Sequence, residues 1–420
     1  MAAVSNPSYL IDLSRFVKAG DGVWWSQTSA EPTPLVTALL DQVHRIGPVR
    51  AFVGMTWNTR LTTELPDNLS VVSYGALGDL RALSKAGRLE VIPCNYSALP
   101  RMFERGELPR DVGFVQVSPP DADGYCSLGV GVDYIADAVE HTRVLIAEIN
   151  SRMPATVGST RIPLSRFAAT ISTDRPLLEL TSRPASHTDA TIASIVAGLI
   201  EDGDTLQLGV GALPSAVMER LVERSDLGIH SGMISDGVID LIDSGVITGR
   251  RKEIDRGIVV TGAALGGAAL YERVRELGIQ FRPASYTHSP ETLSQLRTLV
   301  SVNSAIEVDL TGQVNAERRH GTYVGAVGGQ SDFSRAASLT GRRSIIALRS
   351  RSGSHSTIVA STRTVTTSRT DVDVVVTEHG IAELRGHGFR ERARRLAAIA
   401  DPEFRDELEQ TFADRVALTA

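Results

Sequence analysis

The sequence contains 420 residues, which exceeds one ordinary hydrophobic core, so two domains of about 200 residues each are expected. Hydrophobic residues make up 42% and charged residues 22%, and the net charge of −6 comes without a basic cluster, which argues against a nucleic-acid-binding surface. The chain lacks the apolar run of about 20 residues that a membrane span needs, and its N-terminal residues lack the pattern of a secretory signal. Cys94 and Cys126 have no metal-ligand spacing and are predicted to be reduced thiols, so we expect a cytoplasmic protein without a bound metal.

Short apolar runs rich in β-branched residues alternate with helix-length segments along the chain. The predicted strands are 49–53, 69–72, 89–93, 112–117, 144–149, 205–208, 257–261, 305–310, 344–348, 357–359 and 372–377. The predicted helices are 34–45, 77–86, 134–140, 189–199, 215–223, 238–242, 388–398 and 402–412. This alternation predicts an α/β fold with mostly parallel sheets, divided into two domains at residues 1–182 and 183–420.

Two glycine-containing loops are candidates for ligand binding. The first, Gly209-Val210-Gly211-Ala212-Leu213-Pro214, joins a predicted strand to a predicted helix, so its amides can face a ligand, although a tight turn alone explains it equally well. The second, Gly325-Ala326-Val327-Gly328-Gly329-Gln330-Ser331-Asp332-Phe333, can present several amide donors to an oxyanion or a thioester carbonyl. Close packing of this loop against another backbone segment is its alternative explanation.

Three further features carry titratable groups. Thr377-Glu378-His379-Gly380 follows a predicted strand and is typical of either acid–base chemistry or a structural hydrogen-bonded pair, of which the second is favoured. Glu31 in Ser29-Ala30-Glu31-Pro32 precedes a predicted helix, where a carboxylate interacts favourably with the helix dipole. The segment Ile229–Gly237 is predicted to be a polar turn with Gly232 at its centre.

Taken together, these motifs resemble the acetyl-CoA hydrolase/transferase family, in particular its 4-hydroxybutyrate CoA-transferase group, over nearly the whole chain. The resemblance rests on Ser29–Pro32, Val91–Cys94, Val117–Asp121, Gly209–Gly211 with Pro214, Asn303–Asn315, Val327–Phe333 and Val376–Gly380. It implies two CoA-transferase-type (NagB/RpiA-like) domains with an active site between them, and a homodimer. It also implies acyl-CoA as substrate, an acyl or CoA acceptor, and no metal. The expected coenzyme A-binding residues are Gly209, Gly211, Val327, Gly328, Gly329, Gln330, Arg349 and Arg351.

The family pattern places a nucleophilic glutamate at the third position of His-x-Glu-Met-x-x-Asp-Gly. This sequence reads His230-Ser231-Gly232-Met233-Ile234-Ser235-Asp236-Gly237, so Gly232 occupies that position. Three other departures are Asn95 in place of a common histidine, His288 within an expected Asn-Asp-Pro, and Arg349–Ser352 in place of a Pro-Ser-Thr-Ala type loop. Without a carboxylate at 232, transfer through a glutamyl thioester at that position is excluded.

Four hypotheses follow. The favoured one is direct transfer of the acyl group from CoA to an amine, an alcohol or water, with the acceptor entering open space at Gly232 and the carbonyl polarised at Gly328 and Gly329. His230 and Ser231 are then the candidate base and its hydrogen-bond partner, with loop scaffolding as the alternative and His288 and His355 as other bases. The second hypothesis is CoA transfer to a carboxylate through a substitute nucleophile. Glu31 is the preferred candidate for this role and Asp236 the less favoured one. The third is a non-catalytic CoA-binding protein, and the fourth is a glycine introduced in place of glutamate to stop turnover.

Overall fold

The computed structural model describes residues 11–158, 161–180 and 184–417, and its contacts divide the chain into two compact units. Unit 1 comprises the residues up to Leu180 together with Thr261–Tyr286 and Thr322–Ala326. Unit 2 comprises Thr181–Val260, Thr287–Gly321 and the residues from Val327 onward. The two units therefore interleave along the sequence.

The predicted domain boundary between residues 182 and 183 lies outside the described residues. The prediction that residues 183–420 form one continuous domain differs from the structure, because two later segments belong to unit 1. Backbone hydrogen bonds attach them: Leu180 N donates to Gly266 O at 3.0 Å, and Ala76 N donates to Gly325 O at 2.9 Å. Such pairings between distant parts of the chain leave no periodic signal in the sequence.

Unit 1 is built on an all-parallel sheet of seven described strands in the order β7-β6-β5-β1-β2-β3-β4. The chain adds β2 to β4 on one side of β1 and then β5 to β7 on the other, so the direction of winding reverses between β1 and β5. Strand β5 is buried at every position and apolar except at Gln116, as expected for a central strand covered on both faces. The strands are β1 (Gly22–Trp25), β2 (Val49–Phe52), β3 (Leu69–Ser73), β4 (Leu89–Val91), β5 (Val112–Val117), β6 (Val144–Asn150) and β7 (Phe167–Thr173).

Unit 2 contains a mostly parallel sheet with the described order β13-β12-β11-β10-β8-β9, in which only the edge pair β12 and β13 is antiparallel. Its winding reverses between β8 and β10. The strands are β8 (Thr205–Leu208), β9 (Gly228–Ile234), β10 (Leu299–Ser304), β11 (Ser344–Ala347), β12 (Val374–Thr377) and β13 (Gly380–Glu383). The predicted α/β class with mostly parallel sheets is confirmed.

Helices connect most of these strands, as is usual for crossovers between parallel strands. The first begins after Pro32, has a proline in its first turn and ends at Gly47, whose φ of +108° stops helical hydrogen bonding. The helices are α1 (Thr33–Ile46), α2 (Thr59–Thr63), α3 (Leu80–Lys85), α4 (Leu99–Arg105), α5 (Asp133–Glu140), α6 (His187–Gly198), α7 (Ala212–Met218), α8 (Gly237–Asp243), α9 (Ala268–Arg273), α10 (Ala284–Thr287), α11 (Pro290–Leu293), α12 (Gln330–Leu339), α13 (Phe389–Ala398) and α14 (Arg405–Ala417).

Short strands and 3₁₀ turns complete the described fold. The short strands are Tyr125–Ser127, Val157–Gly158, Arg161–Pro163, Val260–Ala264, Gln280–Phe281, Glu307–Asp309, Val314–Asn315, Arg318–Arg319, Thr322–Tyr323, Arg351–Ser352, His355–Ser356 and Ile358–Val359. The 3₁₀ turns are Leu13–Arg15, Thr28–Ala30, Tyr96–Ala98, Leu164–Arg166 and Pro402–Phe404. Within the described residues, no helix combines the length and apolar character needed to cross a lipid bilayer.

The prediction of a polar turn at Ile229–Gly237 is wrong. Residues Gly228–Ile234 form strand β9, which pairs in parallel with β8. The polar side chains in this strand are buried because each reaches a backbone carbonyl: His230 Nε2 donates to Thr287 O at 3.1 Å, and Ser231 Oγ donates to Leu208 O at 3.1 Å. Polar composition therefore indicated a surface turn where the fold contains a buried strand.

Candidate functional site

Gly232 lies on strand β9 beside the imidazole of His288. A Cβ atom at position 232 would lie 2.7 Å from Cε1 and 2.8 Å from Nε2 of that ring. Both distances are well below van der Waals contact, so a side chain at 232 and the present position of the ring exclude each other. The expected open space at Gly232 is therefore filled by the imidazole of His288.

The imidazole of His288 is fixed on several sides. Its Nδ1 and the hydroxyl of Thr287 are hydrogen bonded at 2.9 Å. The ring of Phe333 packs against it edge-on, with ring centroids 4.9 Å apart. His288 is 3% exposed, and burial, followed by the charge of nearby His230, lowers its pKa to about 3. The ring is therefore neutral at physiological pH.

The second glycine beside this ring is Gly329, in the loop predicted to bind a thioester. A Cβ atom there would lie 2.5 Å from His288 Nε2 and 2.7 Å from Cδ2. The adjacent Gly328 has φ +55°, and a Cβ atom on it would have open space around it. The structure thus brings together Gly232, His288 and the Gly328–Gly329 loop, which the sequence separates widely.

His230 and Ser231 face inward, toward backbone carbonyls. Burial, with a contribution from the charge of Lys252, lowers the pKa of His230 to about 3. Lys252 is itself 1% exposed and donates from Nζ to Ile229 O at 3.1 Å and Ile258 O at 2.7 Å, while burial lowers its pKa to about 8. These contacts favour the scaffolding interpretation of His230 and Ser231 over their interpretation as base and partner.

The loop that starts at Gly209 follows β8. Gly211 has φ +124°, a conformation that favours glycine, and precedes α7. A cavity of about 10 Å³, the size of a single water site, is lined by Gly209 and Ser231 among apolar neighbours. Two predicted site residues therefore share one small cavity.

The predicted coenzyme A-binding arginines have carboxylate partners within unit 2. Arg349 makes a bidentate pair with Asp189, with distances of 2.6 and 2.9 Å, which lowers the pKa of that aspartate to about 2. Arg351 pairs with Glu403. Gln330, at the start of α12, donates to Thr367 Oγ1 at 3.2 Å. The side chain of Arg349 is 54% exposed, so its guanidinium remains accessible to solvent.

Glu31 lies in unit 1, just after β1 and the turn Thr28–Ala30, and it is 6% exposed. Asn58 Nδ2 donates to its Oε1 at 3.0 Å, and Thr56 Oγ1 donates to its Oε2. Desolvation raises the pKa of Glu31 to about 7 despite these hydrogen bonds. The carboxyl group borders a cavity of about 360 Å³.

Sequence reasoning did not identify Thr28 or Arg175, which line the same cavity. Thr28 has φ +56°, and a threonine in the sequence does not indicate this conformation, because β-branched residues rarely adopt it. Arg175 donates to Glu31 O at 2.6 Å and lies in a segment that lacks clear periodicity. Across the described residues, no cluster of three or more histidine, cysteine, aspartate or glutamate side chains is arranged to hold a metal ion.

Two protein-family domains match this chain, and together they cover most of its length. The N-terminal domain of the acetyl-CoA hydrolase/transferase family matches residues 10–178, and the C-terminal domain of the same family matches residues 266–412. The chain belongs to the acetyl-CoA hydrolase/transferase family. The resemblance predicted from the motifs is therefore confirmed at the level of the family.

Individual relatives extend this result over most of the chain. The 4-hydroxybutyrate coenzyme A transferase of Clostridium kluyveri is 41% identical over 345 residues, covering 80% of each protein. The succinyl-CoA:cyclohexane-1-carboxylate CoA transferase of Geobacter metallireducens is 34% identical over 406 residues, covering 95% of this chain and 93% of that protein. The crystal structure of RipA from Yersinia pestis is similar with a TM-score of 0.89 at 35% identity, covering 99% of this chain and 97% of that one. A 4-hydroxybutyrate CoA-transferase from Porphyromonas gingivalis gives a TM-score of 0.80 at 34% identity, covering 96% of each.

Proposed function

We propose that this protein is an acyl-CoA-dependent transferase that passes the acyl group from CoA directly to an amine, an alcohol or water. The observation that carries the proposal is the contact between Gly232 and His288. Gly232 provides no carboxylate, and a Cβ atom there would lie 2.7 Å from the neighbouring imidazole, so the site favours a route without an enzyme-bound glutamyl thioester. Family membership and the named CoA-transferases among its relatives support acyl-CoA as the substrate.

In this proposal the Gly328–Gly329 loop polarises the thioester carbonyl with backbone amides. The acceptor's oxygen or nitrogen attacks the carbonyl carbon and forms the new bond to the acyl group. The carbon–sulfur bond breaks, and CoA leaves as a thiolate that takes up the proton released by the acceptor. The neutral imidazole of His288 lies beside Gly232 and Gly329 and keeps this part of the loop rigid. It also excludes a nucleophilic side chain of the protein from position 232.

A second candidate is CoA transfer with Glu31 as a substitute nucleophile. It is favoured by the position of this carboxyl group on a cavity of about 360 Å³ in unit 1. Its pKa of about 7 leaves about half of the groups ionised at neutral pH, and the ionised form is the nucleophile. The two candidates differ in whether a covalent CoA adduct forms.

The deciding experiment uses the full-length protein and butyryl-CoA. Thiol release is measured in buffer alone and with propan-1-ol or propylamine, and formation of acetyl-CoA is measured with acetate. Intact mass detects a CoA adduct before and after borohydride treatment. Thiol release that depends on the alcohol or amine supports acyl transfer, and thiol release in buffer alone supports hydrolysis. An adduct, or conversion of butyryl-CoA into acetyl-CoA in the presence of acetate, contradicts direct transfer.

The Glu31→Gln variant, with the exposed Glu104→Gln as its matched control, then identifies the nucleophile. Loss of the adduct in the first variant alone assigns CoA transfer to Glu31. Absence of butyryl-CoA binding, thiol release and acetyl-CoA formation together would contradict both candidates and leave a non-catalytic protein. The homodimer that the resemblance implies is tested in the same preparation by sedimentation velocity.

A further inference from the structure

We propose that unit 1 carries a binding site of its own for a small alcohol or amine, held by Thr28 and Glu31 in the cavity of about 360 Å³. Residues after β1, β2 and β7 line the cavity, so it lies beyond the carboxyl ends of these strands. Gln116 on β5 donates to Glu31 O at 3.0 Å, which places Glu31 where the winding of the sheet reverses between β1 and β5. Open α/β sheets bind their ligands at such a reversal.

Thr28 is the first indication that the cavity is built for a ligand. Its φ of +56° is uncommon for a β-branched residue, and such strain is concentrated at functional sites. Its backbone is held in place by a hydrogen bond from Thr28 N to Met55 O at 2.9 Å. The side chain is 1% exposed, and its hydroxyl has no hydrogen-bond partner among the described residues. A buried hydroxyl in this state is satisfied by a bound molecule that offers a polar group.

Glu31 supplies the complementary acceptor. Each of its carboxyl oxygens receives one hydrogen bond, from Asn58 or from Thr56, and each retains capacity for a second. These two bonds fix the orientation of the carboxyl group toward the cavity that it lines. A carboxyl group with a pKa of about 7 can accept a proton from an O–H or N–H group near neutral pH.

The charges around the cavity argue against a carboxylate ligand. Arg175 is paired with Glu148 at 2.6 Å, and Arg60 is paired with Asp41 and Glu64, each at 2.8 Å. Both guanidinium groups on the cavity wall are therefore already neutralised. Four further carboxyl groups lie near Glu31 or near these two arginines, so negative groups outnumber positive ones around the cavity. They are Asp41, Glu64, Asp79 and Glu148. An alcohol or an amine fits this environment better than an anion does.

The hydroxyl groups of the wall extend the same preference. Thr33, Thr37 and Thr59 line the cavity together with Thr28, and Trp57 contributes an aromatic surface. Hydroxyl groups both donate and accept, so they match an alcohol, and an aromatic face attracts an alkylammonium group. The binding site does not depend on acyl transfer.

The test measures binding to the full-length protein without acyl-CoA, so its outcome is separate from that of the proposed function. Propan-1-ol, propylamine and propanoate, which have matched size, are titrated by ligand-observed NMR. We expect propan-1-ol and propylamine to bind more tightly than propanoate. For propylamine, affinity should rise with pH through about 7, because the ligand donates to the ionised form of Glu31.

Two variants assign the binding to these residues. We expect Glu31→Gln and Thr28→Gly each to weaken binding about tenfold, whereas the exposed Glu104→Gln and Thr170→Val leave it unchanged. Glycine adopts φ +56° without strain, so Thr28→Gly should fold, and a cooperative thermal transition in this variant shows that reduced binding is not due to a failure to fold. Unchanged affinity in both variants, or preferential binding of propanoate, would overturn the proposal.

Discussion

The contact between Gly232 and His288 leads to a quantitative prediction about stability. A methyl group at 232 would lie 2.7 Å from Cε1 of the ring, almost 1 Å inside normal contact, and the ring is held by Thr287 and Phe333. Such overpacking costs about 1–3 kcal/mol, so Gly232→Ala should lower the free energy of unfolding by that amount. In a His288→Ala background the obstacle is absent, and the same change should stabilise the strand by about 0.5–1 kcal/mol.

Tm measurements on the four members of this double-mutant cycle test the prediction. The coupling between the two positions should be about 1.5–4 kcal/mol, which for a unit of this size corresponds to a Tm difference of roughly 3–16 °C. Gly198→Ala is the matched control, because a Cβ atom at Gly198 meets no heavy atom within 4 Å. This control should have the same small effect in both backgrounds. Equal Tm changes for Gly232→Ala with and without His288 would refute the reasoning.

Three other predictions follow from the same geometry and from the shifted pKa values. Gly232→Glu alone should form no CoA adduct with butyryl-CoA, whereas Gly232→Glu combined with His288→Ala should form one that intact mass detects. An adduct in the single variant would contradict this, because it would show that the His288 ring can move away from a side chain at 232. Because burial raises the pKa of Glu31 from 4.5 to about 7, its contribution to stability is present below pH 4.5 and lost as pH rises through 7, so Glu31→Gln should flatten the fall of Tm between pH 5 and 8. Burial lowers the pKa of Lys252 from 10.5 to about 8, so the unfolded chain binds more protons than the folded chain between pH 8 and 10.5. The free energy of unfolding therefore rises with pH over this range, and Lys252→Met should remove the corresponding rise in Tm.

The regular part of the fold was predictable from local sequence. The runs at Val112–Val117 and Thr205–Leu208 are strands with the predicted bounds. They were predictable because short runs rich in apolar residues are typical of buried parallel strands. Strand β1, with only four residues, and β7, within an irregular segment, were not predicted. Strand β9 was predicted as a turn because its buried polar groups resemble surface residues until their carbonyl partners are known.

The candidate site was predictable only in part. The sequence analysis predicted that Gly232 and His288 both depart from the family pattern, but it could not show that the ring of His288 occupies the space of a side chain at 232. The predicted role of Glu31 at a helix start took account of the dipole alone. Its burial depends on Thr56 and Asn58 in the connection after β2 and on Gln116 in strand β5, so its raised pKa is a property of the assembled unit.

The interleaving of the two units has a consequence for synthesis of the chain. Unit 1 needs Thr261–Tyr286 and Thr322–Ala326, and the hydrogen bond from Ala76 N to Gly325 O closes only when the latter segment exists. Domains often fold as units while the ribosome is still working, N-terminal first. Here the seven strands of the unit 1 sheet are all translated by Thr173, but unit 1 as a whole lacks its last segments until Ala326 has been translated. By then Thr181–Val260 and Thr287–Gly321 of unit 2 have also been made, so unit 1 is completed only when synthesis of unit 2 is well advanced.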